Sequence, residues 1–191
     1  MMTHDERLTQ LSMLLDQADK NKLISGNKDL MEFLCADSGF MTAPASTKYH
    51  GNYPGGLFDH SYAVAETLLG LTVRNDLIWQ RPESPLIVGL FHDLCKCDQY
   101  REVKPGLDLE YEDAPVYEHN DKLLLKGHGD KSVMILSQFM RLTEEEVLCI
   151  RYHMGAYEKD DWTGFDLAIR KFPTVLWTHT ADMIASKVIG T

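Results

Sequence analysis

The stretch that most constrains this chain runs from Pro85 to Lys96. Pro85-Leu86-Ile87-Val88-Gly89-Leu90-Phe91 is an unbroken apolar run, and His92-Asp93-Leu94-Cys95-Lys96 follows it directly. A helix that is apolar all round has to be buried. Its end then carries an imidazole and a carboxylate into a pocket. An ionised carboxylate there is costly unless something compensates its charge. The remaining segments have to supply the apolar faces that cover this helix and the groups that join His92 and Asp93.

Those segments read as helices. Leu8, Leu11, Leu14, Leu15 and Ala18 fall at helical spacing between Arg7 and Lys20. A second helix is predicted over about 27–36, with Asn27 as N-cap and Gly39 as a stop. A glycine- and proline-bearing loop, 39–56, precedes a helix reaching about Val73 that carries His60 in its first turns. Pro82 and Pro85 open the central helix. Gly127-His128-Gly129 precedes another helix, and Leu123-Leu124-Leu125 is expected to tuck under the body. Thr143 and Glu146 form a capping-box pattern for a helix running to His153, which Gly155 ends. Trp162 to Lys171 is expected to be a short helix or turn. Pro173 opens a last helix, Thr174 to about Ile189, that holds Asp182 among apolar neighbours. Residues 100–126, rich in charged and aromatic side chains, read as a β-hairpin or irregular excursion. The expected fold is therefore all-α, one domain over 1–191, with N-terminal helices to about residue 40 and a helical core beyond.

Composition removes several function classes. No apolar run approaches the ~20 residues of a membrane span, and the N-terminus lacks a signal-peptide pattern. A cytoplasmic protein is expected. The net charge of −10 disfavours long duplex DNA, which is held through Lys and Arg contacts to phosphate. It leaves room for a small anionic substrate if bound metal ions supply local positive charge. Cys35, Cys95, Cys97 and Cys149 form no CxxC pair and are read as reduced packing thiols.

Four of the eight histidines, with two aspartates, stand out. His60, His128 and His153 lie where glycine-containing loops meet helices, and His92 precedes Asp93 at the end of the apolar run. Imidazoles and carboxylates are the usual ligands of divalent transition metals. Each residue also has a plainer reading: His60 bonded to backbone, or Asp182 paired with Arg170. As an ordered set, His60, His92-Asp93, His128, His153 and Asp182 indicate metal binding.

The order H…HD…H…H…D resembles the HD-domain superfamily of metal-dependent phosphohydrolases. The resemblance covers about Tyr49 to Lys187 and rests on Gly55-Gly56-Leu57-Phe58-Asp59-His60, His92-Asp93-Leu94-Cys95-Lys96 (an HDxxK signature), Gly127-His128-Gly129, Tyr152-His153-Met154-Gly155 and Thr180-Ala181-Asp182. It is most similar to the HD domain of certain bacterial 3′→5′ exoribonucleases. Those enzymes carry an additional OB-type nucleic-acid-binding domain for which this chain has no room. Met154 stands where several members have a second histidine.

The resemblance implies an HD-type helical bundle holding one or two divalent ions (Mn, Fe, Ni, Zn or Mg). His60, His92, Asp93 and Asp182 would hold one ion, and Asp93, His128 and His153 a second, with Asp93 bridging. Two ions ~3.5–4 Å apart suit activation of a hydroxide and in-line displacement at phosphorus. The implied activity is hydrolysis of a phosphomonoester or phosphodiester in a nucleotide or short oligonucleotide. Lys96, at i+4 from His92 and i+3 from Asp93, would share their helix face and neutralise charge on a phosphoryl oxygen. His50, Lys48, Tyr49 and Lys131 are the substrate-side candidates. His119 and His179 are expected to be non-ligands, with His179 available as a support behind the ligands. The same residue order also resembles HD-fold di-iron oxygenases, and a non-catalytic metal- or ligand-sensing module is a third reading.

Overall fold

The computed structural model describes residues 2–103, 116–155 and 161–191. It is mostly helical, with one small antiparallel sheet. In chain order come α1 (His4–Ala18), α2 (Lys28–Glu32), α3 (Gly56–Arg74), α4 (Ser84–Phe91), β1 (Tyr100–Val103), β2 (Val116–His119), α5 (Gly129–Leu136), α6 (Glu144–Arg151), α7 (Trp162–Lys171) and α8 (Thr174–Ile184). No helix among the described residues is long and apolar enough to cross a membrane.

α4 lies at the centre. Every residue from Ser84 to Phe91 is buried. α3, α6 and α8 all pack against it, and one hydrophobic core runs from Leu11 in α1 through Phe58, Leu86 and Phe91 to Val175 and Ala185. Gly89 permits the closest approach, because a Cβ there would overlap the backbone of Ala65 in α3. The entry to α4 is tied to α6 by buried carboxylates. Arg81 donates two 2.7 Å bonds to Glu146, and the Ser84 hydroxyl donates a third at 2.8 Å. Thr143 and Glu146 also complete the capping box of α6, so one side chain serves both ends of the contact.

The local geometry departs from the sequence pattern in several places. The central helix stops at Phe91. His92 caps it, and a 3-10 turn, Leu94–Cys97, replaces further α-helix. His92, Asp93 and Lys96 therefore share a tight turn rather than one continuous helix face. A π-helical turn, Phe33–Asp37, continues α2, and another, Ala185–Ile189, continues α8. α6 ends at Arg151, so His153 lies just beyond it. In the 100–126 excursion, Tyr100 pairs with His119 and Val103 with Val116; residues 104–115 lie outside the described residues. The leucine run does not tuck under the body as a unit: Leu124 is fully exposed, Leu125 is 43% exposed and Leu123 is half-buried. Arg170 pairs with Asp166 one turn away, which rules it out as the partner of Asp182.

Candidate metal centre

His92 caps α4, and Asp93 opens the turn that follows it. His92 and His153 are fully buried, as is His60, and Asp93 is 2% exposed. His60 comes from the first turns of α3, after a loop held by a buried clamp. Arg7 of α1 reaches across to Asp59, with Nε 2.7 Å from Oδ1 and Nη2 3.1 Å from Oδ2, and also donates to the Pro54 carbonyl. Gly55, at φ +82°, lies directly under that guanidinium, where any side chain would collide with it. Asp59 immediately precedes His60, so the clamp holds the backbone from which that side chain projects.

Three of the four histidines are locked in one tautomer. His92 Nδ1 lies 2.9 Å from the Gly89 carbonyl, His153 Nδ1 2.7 Å from that of Ile150, and His60 Nδ1 2.9 Å from that of Thr191. A carbonyl only accepts, so each Nδ1 carries the proton and donates it. In a neutral ring each Nε2 is then a bare lone pair. These lone pairs converge. His60 Nε2 is 3.2 Å from His92 Nε2 and 3.1 Å from Asp182 Oδ1. His92 Nε2 is 3.4 Å from Asp93 Oδ2. Acceptors face acceptors here, an arrangement that needs a cation or added protons between them.

The second half of the cluster has the same character. Asp93 Oδ1 is buried and accepts no hydrogen bond. It lies 3.1 Å from His128 Nε2 and 3.4 Å from His153 Nε2. Those two nitrogens are 3.1 Å apart. Behind His128, Nδ1 meets Cys95 Sγ at 3.2 Å, a contact the cysteine spacing did not foreshadow.

The ligand atoms of His60, His92 and Asp93 all lie within 4.8 Å of one another, and so do those of Asp93, His128 and His153. Asp93 belongs to both groups. Asp182 adjoins the first group through His60. A donor set of imidazoles and carboxylate, with an orphaned carboxylate oxygen and facing lone pairs, fits a divalent metal ion, and these residues could hold one.

Electrostatics agree with that fit. Burial alone would raise the Asp93 carboxyl, but Lys96 and the imidazoles of His92 and His128 hold it well below the ordinary carboxylate range. Lys96 Nζ sits 2.7 Å from Asp93 Oδ2. Burial opposes its charge, yet Asp93 pushes it above the usual lysine value, so it stays a cation. Asp182 is likewise depressed despite burial, through its bond to His60 and the nearby rings. Burial would lower His128, but Asp93 lifts it to about 9. His50 goes the other way. Burial, then repulsion from His60 and Lys96, lowers it to about 4.

The cluster opens into a cleft of about 220 Å³ whose lining includes Asp93, Lys96, His128 and Asp182. The substrate-side candidates divide. His50 lines this cleft, with its ring 5.0 Å from that of His60. Lys48 and Tyr49 are exposed on the preceding loop, Tyr49 beneath the Lys187 ammonium at 6.0 Å. Lys131 does not reach the cleft. It is buried against Asp98 and lines two separate cavities of about 300 and 450 Å³. His119 stacks edge-on against Tyr100 in the sheet, away from the ligands. His179 Nδ1 donates to the His153 carbonyl at 2.7 Å and supports that ligand through its backbone.

Arg7 is the residue beside the cluster that periodicity alone passes over. Its signal was present, because Arg7 shares the apolar face of α1 with Leu11 and Leu14, and a cation there needs a buried partner. No family model, curated protein or solved structure matches the chain.

Proposed function

We propose that this protein is a metal-dependent phosphoric ester hydrolase acting on a small, anionic, nucleotide-like substrate. The observation that carries the reading is the position of Asp93. It is shared by two three-ligand groups at the foot of a cleft, with the Lys96 ammonium 2.7 Å away. The resemblance to HD-domain phosphohydrolases points the same way.

His60, His92, Asp93 and Asp182 would hold one ion, and Asp93, His128 and His153 a second. Ions held there would polarise a phosphoryl oxygen and acidify water for attack at phosphorus. The protein's own contribution is arrangement. Carbonyls fix the tautomers of His60, His92 and His153 so that their lone pairs face inward. Lys96, paired with Asp93 at 2.7 Å, would set its ammonium beside a phosphoryl oxygen of a substrate held in the cleft. Burial of His60, His92, Asp93 and His153 lowers the local dielectric and strengthens these interactions.

The test is hydrolysis by protein loaded separately with Mn²⁺, Co²⁺, Ni²⁺, Zn²⁺, Mg²⁺ and Fe²⁺. Release of phosphate, nitrophenol or nucleoside from p-nitrophenyl phosphate, bis(p-nitrophenyl) phosphate or nucleotides is expected with at least one ion, together with its loss in Asp93→Ala. No product from any ester with any ion would contradict the reading.

A further inference from the structure

The cleft above the histidine cluster is small and its walls are uneven. Its volume of about 220 Å³ is below the ~300 Å³ at which sites for drug-sized ligands begin. Lys96 stands at the buried end, and Lys187, an exposed residue, lines the outer part. Between them the lining includes the hydroxyl residues Ser46 and Ser186 and the thioether side chains of Met154 and Met183.

We propose that this cleft takes a phosphomonoester with a compact leaving group of about one sugar ring, and does not thread a polynucleotide. The proposal rests on the phosphohydrolase reading and narrows it. Three features carry it. First, the space bounded by the described residues, about 220 Å³, is of the size of a phosphate with a small polar ring, which would leave a nucleobase at the mouth. A diester inside a chain would instead need an outlet on both sides of phosphorus. Second, charge favours the monoester. With a second pKa near ~6, a phosphomonoester is close to a dianion at neutral pH, whereas a diester carries one charge. A lysine ammonium 2.7 Å from Asp93, at a site whose residues would hold cations, suits the dianion better than the monoanion. Third, a strand-binding groove tracks the backbone with a positively charged surface. Here Lys96 and Lys187 are the only Lys or Arg side chains among the described residues lining the cleft, on a protein of net charge −10.

Met154 and Met183 give the leaving-group side a wall that adapts to different compact alcohols. In the reaction, water adds to phosphorus and the ester P–O bond breaks. The leaving oxygen takes a proton, and inorganic phosphate and the free alcohol result.

The experiment compares ribose 5-phosphate, a nucleoside 5′-monophosphate, bis(p-nitrophenyl) phosphate and a ten-residue ribo-oligonucleotide on the metal-loaded full chain. In parallel, calorimetry measures inorganic phosphate binding, and anisotropy measures binding of the labelled oligonucleotide. The expected result is kcat/KM at least 100-fold higher for the two monoesters than for either diester, with phosphate binding and no oligonucleotide binding. Met183→Trp, at a 40%-exposed position, should raise KM for the nucleotide more than for ribose 5-phosphate. Cleavage of the oligonucleotide with inert monoesters would overturn this proposal and leave the phosphohydrolase reading standing. Failure to turn over any ester or to bind phosphate would overturn both.

Discussion

The Nε2 atoms of His60 and His92 face each other across 3.2 Å while both Nδ1 atoms donate to backbone carbonyls. Two neutral imidazoles fixed in this way repel, and a divalent cation between them turns the repulsion into ligation. Metal should therefore stabilise the fold. At an ion concentration 100 times Kd the gain is about 2.7 kcal/mol, or about 5–10 °C in Tm for a chain of this size. Thermal melts before and after chelation, then with metal restored, measure it; identical melting curves would count against the ion.

Asp93 should be the residue that neither metal group can lose. It contributes to both groups and also neutralises buried Lys96. Asp93→Ala is expected to abolish tight binding of both ions. In the metal-free protein it should cost about 3–5 kcal/mol, because a lysine is left buried and unpaired. His153→Ala, by contrast, removes a ligand from only one group. Calorimetric stoichiometry separates the two variants: near zero for the first and near one for the second.

Arg7 lies in α1, remote in sequence from every ligand, yet its guanidinium holds Asp59 beside His60. Arg7→Ala breaks a buried bidentate pair and is expected to cost about 3–5 kcal/mol. Arg7→Lys restores the charge without the fork and should recover only part of that. A chemical denaturation series reads the stability. Metal titration should show weaker binding in the His60 group with the His128 group little changed.

The pH dependence has two opposed limbs. His128 is raised to about 9 in the metal-free protein, chiefly because Asp93 outweighs the effect of burial. A raised value means a stability contribution fully present below about 6.5 and lost as the pH rises through about 9. Metal-free protein should weaken across that window. Metal affinity should strengthen across it, because ligation displaces the His128 proton. Asp182 is depressed, so its contribution is present above the ordinary carboxylate range and lost on acidification below it. Melts from pH 3 to 10 with and without metal measure both limbs. Parallel pH profiles for the two forms would refute the linkage.

The elements carrying strong local signals were legible in the sequence. Asn27 does cap α2, Thr143 and Glu146 do form a capping box, and the Pro85–Phe91 run is buried throughout. The division into a group with His60, His92, Asp93 and Asp182 and a group with Asp93, His128 and His153 is implied by the resemblance to HD-domain phosphohydrolases and not by local spacing; the fold brings His60, His92 and Asp93 together, and Asp93, His128 and His153. The 3-10 turn after His92 was not legible, since Leu94-Cys95-Lys96-Cys97 continues a helical pattern and only packing ends it. Lys131, three residues after His128, reads from sequence as a substrate-side cation, as Lys96, four after His92, reads as a catalytic one. Tertiary structure separates them, one held by Asp93 in the cleft and the other by Asp98 outside it. The clamp between Arg7 and Asp59 joins residues 52 positions apart, a separation that local periodicity does not encode.

The most direct test of the centre is an anomalous-scattering map from crystals grown with Mn²⁺ or Zn²⁺. The account predicts two peaks about 3.5–4 Å apart, one among His60, His92 and Asp182, the other between His128 and His153, with Asp93 reaching both. A map with no peak at Asp93, or with a metal bound elsewhere and these histidines unliganded, would contradict it.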